Sequence, residues 1–92
     1  MAEVRIPTVL RPSTGGNSTI DAEGETVGEI LRSIGTKFPE FLPQVVNEDG
    51  TMHRFVNIYL NDDDIRYLDK LDTKVSPSDK LAILPAVAGG SL

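Results

Sequence analysis

The chain reads as an α+β domain in which one long helix crosses a mixed sheet. Three features predict this. Two short strand-like segments come first, a single amphipathic stretch follows them, and three further extended segments come after it. The amphipathic stretch is apolar along one stripe only, so it must lie against another layer. Ninety-two residues suffice for one such two-layer core, and leave no room for a second domain or a deep enclosed cavity.

From Glu3 to Leu10 the residues alternate. Val4, Ile6, Thr8 and Leu10 fall on one side and Glu3, Arg5 and Pro7 on the other, the period of a strand with one buried face. Pro7 cannot donate a ladder hydrogen bond, which assigns it an edge or outward position. RPSTGGN is dense in turn formers and leads into a second strand over residues 18–22. Thr26-Val27-Gly28-Glu29 matches a capping box, in which Thr26 and Glu29 satisfy each other's backbone N–H groups. Behind it Val27, Ile30, Leu31, Ile34 and Phe38 recur at helical spacing, and Pro39 stops the helix. Gly28 and Gly35 sit inside that helix at a cost to its propensity.

Phe41, Leu42, Val45 and Val46, with Pro43 among them, are too broken for a strand and too apolar for a solvated loop. A short turn of helix over the sheet edge accounts for them. The loop NEDGT leads to a strand from Arg54 to Leu60, with Val56, Ile58 and Leu60 on the core face and Phe55, Asn57 and Tyr59 opposite. NDDD turns the chain into a short strand around Ile65 to Tyr67. Leu68, Leu71 and Val75 tuck under the next connection, and Lys80 to Leu84 is the last strand. The first and last strands are the natural central pair. This is the β-grasp order found in ubiquitin, with a domain over residues 1–84 and a flexible tail, residues 85–92, projecting past the sheet.

The net charge is −5 and no block of lysines or arginines stands against it. A nucleic-acid backbone would be repelled, and the balance favours a protein partner with a basic docking face. Cysteine is absent, which removes disulfides and thiolate metal sites. MAEVRIPTVL lacks an apolar core of signal-peptide length and no segment could span a bilayer, so neither a membrane nor secretion is expected and the chain reads as cytoplasmic.

Nothing inside the domain looks catalytic. His53 is the only histidine, and with no cysteine to serve it reads as a bland loop residue. Asp62, Asp63 and Asp64 lack the alternating ligands, the glycine and the distant glutamate of a calcium loop, so no metal is expected there. Gly15-Gly16 is followed by neither a Lys-Ser nor a Lys-Thr pair, which favours a loop over a phosphate cradle. Phe55 and Tyr59 are different. On the uncovered face of a small sheet they form a candidate protein-docking patch, with simple edge packing as the competing account.

The tail has a chemistry of its own. In LAILPAVAGGSL, Pro85 ends the last strand and stiffens its exit. Ala86, Val87 and Ala88 are small or β-branched, and Gly89 and Gly90 have no side chain at all. Such a segment can be threaded through a narrow channel into another protein's active site, where glycine permits close backbone approach. A glycine carboxylate is a poor electrophile until its oxygen becomes a leaving group, as in an acyl-adenylate. The catalysis would then belong to partner enzymes, with this domain as the handle. A frayed end that happens to hold two glycines is the bland alternative.

IPTVLRPSTGG at residues 6–16, HRFVNIYLNDDDIR at 53–66 and LAILPAVAGG at 81–90 resemble the ThiS/MoaD family of sulfur-carrier proteins, and most closely its CysO-like branch in cysteine synthesis. The resemblance covers essentially the whole chain. It implies a β-grasp fold and adenylation of Gly90 by a MoeB-like enzyme, which uses ATP and installs a thiocarboxylate; the carrier itself binds no cofactor. Gly89, Ala88 and Val87 would be the threaded segment. In that branch the sulfur attacks an aminoacrylate on a pyridoxal-phosphate-dependent, CysM-like cysteine synthase, and a zinc metalloprotease releases cysteine. One departure stands out: Ser91 and Leu92 follow Gly90, where carriers of this branch end at Gly-Gly. Either a peptidase of the JAMM metalloprotease type removes them, or they are foreign to the native chain, or this copy is inactive.

Two other readings stay open. A ubiquitin-like modifier would use the same adenylation and join Gly90 to target lysines, whereas a pure interaction module would leave the tail unused. Within the carrier reading, thiamin, molybdopterin and thiosugar synthesis draw on similar proteins.

Overall fold

The computed structural model describes residues 2–53 and 56–85. Strands β1 (Ala2–Arg5), β2 (Thr19–Ala22), β3 (Val56–Leu60), β4 (Asp63–Asp64) and β5 (Lys80–Pro85) form one sheet in the order β2-β1-β5-β3-β4. β1 and β5 run parallel, with Val4 opposite Leu81, and the other neighbours are antiparallel. Helix α1 (Val27–Lys37) carries the chain from β2 at one edge across the sheet to β3 on the other side of the central pair. The expected α+β, β-grasp architecture is the one observed.

Alternation on the strands and 3.6-residue spacing on the helix meet in one core. Val27, Ile30, Leu31 and Ile34 of α1 are all buried, as are Val4, Ile6, Val56, Ile58, Leu81 and Ile83 of the sheet side. Phe41 and Val45, around the single helical turn α2 (Leu42–Val45), join them together with Ile65 and Val75. The two helix glycines now have a reason. A Cβ on Gly35 would lie 3.0 Å from Leu42 Cβ, and one on Gly28 would lie 3.2 Å from the Leu71 carbonyl oxygen. Their cost to helix propensity is offset by the close approach of α2 and of the later connection to α1.

Four local expectations are corrected. The first strand stops at Arg5, and Thr8–Thr14 forms a 3-10 helix. Pro7 stands at its N-cap with φ −71°, and its carbonyl accepts from the Leu10 N–H at 3.0 Å. Pro7 offers no donor to extend a ladder, so the chain curls, yet Ile6 and Leu10 still face inward. The capping box is half formed. Thr26 Oγ1 accepts from the Glu29 N–H at 3.2 Å, but Glu29 Oε1 accepts from the Glu25 N–H at 3.3 Å rather than from that of Thr26. The chain enters the helix extended beside Lys74, which presents the earlier N–H.

The third correction is at the aspartate run. Asn61 and Asp62 have φ of 49° and 82° and make a two-residue turn of the hairpin type, so pairing resumes at once as β4. Asp64 Oδ1 then accepts from the Arg66 N–H at 2.9 Å, and Ile65–Tyr67 is a 3-10 turn, not a strand. Lastly, Leu68 is exposed, whereas Leu71 is half-buried and Val75 is buried as expected.

Candidate functional site

β5 is paired with β1 through Ala82, opposite Arg5, and with β3 as far as Pro85, opposite Val56. Its C-terminal end emerges beside the C-terminal end of β1, because the two are parallel. The root of the tail is therefore anchored in the centre of the sheet. The tail residues Val87, Ala88, Gly89 and Gly90 lie outside the described residues, as do Ser91, Leu92 and the docking candidate Phe55.

Tyr59, the other docking candidate, is half-buried on the face of the sheet away from α1, opposite Ala82 and Asp64. Around it a shallow depression is lined by Glu3, Arg5, Asn61, Asp62 and Lys80. Among the described residues its immediate setting is largely charged.

Sequence reasoning missed the groove at the tail root. Val9 is 65% exposed and Leu84 44% exposed, and with Pro7 and Pro85 they line a groove of about 340 Å³ flanked by Arg5 and Arg11. Arg11 Nε donates to the Ile6 carbonyl at 3.2 Å, which fixes the guanidinium beside the groove. Val9 was hidden by the strand reading of residues 3–10. The signal that finds it is Pro7 followed three residues later by Leu10 and then by Pro12, the spacing of a 3-10 turn rather than of a ladder. On the same sheet face, opposite Leu84, Asn57 Oδ1 is buried without a hydrogen-bond partner among the described residues.

The remaining candidates have structural work. The His53 N–H donates to the Val45 carbonyl at 2.7 Å, and the ring is half-buried. Gly15 and Gly16 close the first 3-10 helix, with the Gly16 N–H on the Arg11 carbonyl at 2.7 Å. Among the described residues no three His, Cys, Asp or Glu side chains converge as metal ligands, and no helix is long and apolar enough to cross a membrane. Asp79 and Asp49 have carboxyls held below the ordinary range. For Asp79 the cause is the Ser76 N–H and then the Asn61 amide, and for Asp49 it is the Thr51 hydroxyl and N–H.

A mixed five-stranded sheet crossed by one helix, with its last strand in the centre beside its first, defines a class, the ubiquitin-like β-grasp proteins. Within it, this chain belongs to the ThiS family, whose profile matches residues 4–90. The sulfur carrier protein CysO of Mycobacterium tuberculosis is 42% identical over 89 residues, covering 95% of this chain and 96% of that protein. A chain of the Amycolatopsis orientalis BexX/CysO complex matches with a TM-score of 0.91 and 42% identity, over 98% of this chain and 100% of that one. Small archaeal modifier protein 1 of Methanosarcina acetivorans matches at 0.82 with 29% identity, over 97% and 95%. The family resemblance read from the three motifs is therefore correct.

Proposed function

We propose that the protein is a sulfur carrier for cysteine synthesis, with Gly90 as the residue that bears the sulfur. The observation that carries this reading is the near-full-length likeness to CysO, together with a family match that runs through Gly90 itself. The Gly90 carboxylate attacks the α-phosphate of ATP on a MoeB-like enzyme and pyrophosphate leaves. A sulfur donor then displaces AMP to give the thiocarboxylate. Its soft sulfur attacks an acceptor on a CysM-like pyridoxal-phosphate enzyme, and a JAMM-type metalloprotease frees the product. The domain binds no cofactor and does no catalysis. It presents Val87, Ala88 and Gly89 as a thread slim enough to bring Gly90 into each partner. Tyr59 and Phe55 contribute to docking, and the ATP-using partner places the protein in the cytoplasm.

Ser91 and Leu92 must leave first, since an amide at Gly90 has no carboxylate to activate. The test compares the chain ending at Gly90 with the chain carrying both extra residues. With ATP and the cognate MoeB-like enzyme, only the shorter chain releases pyrophosphate, and mass spectrometry after addition of a sulfur donor shows sulfur in place of oxygen. If the shorter chain is inert, the carrier reading fails.

The likeness to small archaeal modifier protein 1 favours a second reading, conjugation of Gly90 to lysines of other proteins. Isopeptide adducts recovered from the host select it, and a free thiocarboxylate selects the carrier. Thiamin, molybdopterin and thiosugar synthesis remain alternative sinks for the same sulfur, and deletion of the gene distinguishes them by which nutrient restores growth.

A further inference from the structure

We infer that Arg66 is a positioning residue: its guanidinium, held on the Val56 carbonyl, clamps the start of β3 and so aims the strand end from which the tail leaves. The inference rests on the carrier reading for the reaction it serves, the adenylation of Gly90. The clamp itself rests on the ladder geometry alone.

Although β5 is central, its end outruns β1. Pairing with β1 reaches Ala82, opposite Arg5, and β4 pairs with β3 only at Tyr59 and Leu60. Past those points Asn57 meets Leu84 and Val56 meets Pro85, with no third strand beside them among the described residues. On the β1 side the chain has curled into the 3-10 helix Thr8–Thr14, so Leu84 and Pro85 face Pro7 and Val9 across a groove. The exit end is thus a two-stranded spur, and a lone two-stranded ribbon is marginal in water.

The phase of the ladder shows where the spur is held. The Asn61 N–H donates to the Lys80 carbonyl at 2.9 Å, so by alternation the next bonded pairs are Tyr59 with Ala82 and Asn57 with Leu84. Val56 is out of phase, and its backbone groups point away from β5. Its N–H donates to the His53 carbonyl at 3.1 Å, and its carbonyl accepts from Arg66 Nη2 at 3.0 Å. Val56 is only 5% exposed, so loss of the guanidinium strips a protein partner from a carbonyl at a buried position. Arg66 is fixed in turn through its own backbone. The Asp64 carboxylate accepts its N–H at 2.9 Å at the start of the 3-10 turn Ile65–Tyr67, whose Ile65 is buried in the core.

Reach makes the aim matter. Five residues lead from Pro85 to Gly90, and they extend at most about 17 Å. The direction of the spur therefore decides where Gly90 can be delivered. A frayed spur points the same reach in many directions, and only the aimed fraction enters a partner's channel. Apparent affinity falls with that fraction, while a chain that has entered reacts as before.

Hydrogen exchange at single amides tests the clamp in the free protein. In Arg66→Met the amides of Asn57 and Leu84 should exchange tenfold or more faster relative to those of Tyr59 and Ala82, one bonded pair deeper. Arg66→Lys, which keeps a donor, should restore most of the protection, and the milder Arg66→Gln should move it in the same direction as Arg66→Met. Thr26→Ala, which uncaps α1, controls for lost stability and should leave the ratio within twofold. Thermal melts confirm that each variant folds. Pyrophosphate release by the MoeB-like enzyme, with chains ending at Gly90, tests the role. Arg66→Met should raise KM for the carrier tenfold or more with kcat within twofold, and Thr26→Ala should leave both within twofold. An unchanged exchange ratio in Arg66→Met overturns the clamp even if KM rises, because Arg66 would then touch the enzyme directly. An unchanged KM overturns the positioning role. If no chain releases pyrophosphate, the native one included, the carrier reading fails and the exchange ratio alone decides the clamp.

Discussion

At the far end of the sheet, where β3 turns into β4 and β5 begins, the polar groups are paired off. Asn61 Nδ2 donates to Asp79 Oδ1 at 2.9 Å, the Lys80 N–H donates to Asn61 Oδ1 at 2.9 Å, and the Ser76 N–H donates to Asp79 Oδ2 at 2.8 Å. The exit end is the reverse. At that end, where β1 and β5 finish, Val9 and Leu84 stand exposed, and Asn57 Oδ1 is buried with no partner among the described residues. One end spends its side chains on holding the strands together. The other has Arg66 Nη2 on the Val56 carbonyl at 3.0 Å and Arg11 Nε on the Ile6 carbonyl at 3.2 Å, but leaves Val9, Leu84 and the Asn57 oxygen uncommitted to the fold, a trade of stability for function that binding sites commonly show.

The core links the two ends, so damage there should ignore the difference. Ile58 lies midway along β3, fully buried and opposite Ile83. Replacing it with Ala should cost about 2–5 kcal/mol in urea melts, the usual range for such a cavity. A loss near zero would mean that the buried face of β3 has been misread.

The next test sets the ends against each other. Asn61 has a positive φ and makes both a side-chain donor and a side-chain acceptor bond to the start of β5. Asn61→Ala loses both bonds and forces alanine into left-handed backbone, which should cost about 1–2 kcal/mol. Val9→Ser at the exit end removes an exposed side chain and should stay within about 0.5 kcal/mol of the native chain. Equal losses from the two changes would erase the contrast.

The same contrast marks how far the sequence could be read. The apolar stripe of α1 and the facing of β3 followed from periodicity, because burial repeats at the spacing of the element. The motifs around Gly90 were equally plain, since they are local in the chain. The exit groove was not. Val9 and Leu84 are 75 positions apart, by the difference of their numbers, and meet only because β1 and β5 lie side by side. The alternation through Thr8 and Leu10 also mimicked a strand that Pro7 had already ended. Periodicity reports which residues are buried. It is silent on which exposed residues from distant segments gather at one end.

Asn57 gives a smaller effect of opposite sign. Its Oδ1 gains no hydrogen bond for its burial, so Asn57→Leu should raise stability by about 0.5–1 kcal/mol in the same melts. A loss instead would show that the amide holds β3 in place, and the exit end would then be as fully committed to structure as the far end.

The finest test is the charge on Asp79. In the folded chain its pKa is lowered from the ordinary 3.8, first by the Ser76 N–H and then by the Asn61 amide. A depressed carboxylate binds its proton less readily when folded than when unfolded, so its contribution is fully present above 3.8 and is lost as the pH falls through the lower folded value. Asp79→Asn removes the charge but keeps an acceptor, so the variant should be less stable than the native chain at neutral pH. The two stability curves should converge in acid, below the unfolded value. Asp49, whose carboxyl is lowered in the same way by Thr51, is present in both proteins and cancels from the difference. The effect will be small because Asp79 faces water, where screening weakens every such interaction. Melts taken from about pH 6 down to about pH 2 measure it. A gap between the curves that does not change over that range would mean that the far end is locked by geometry alone, with no help from the carboxylate's charge.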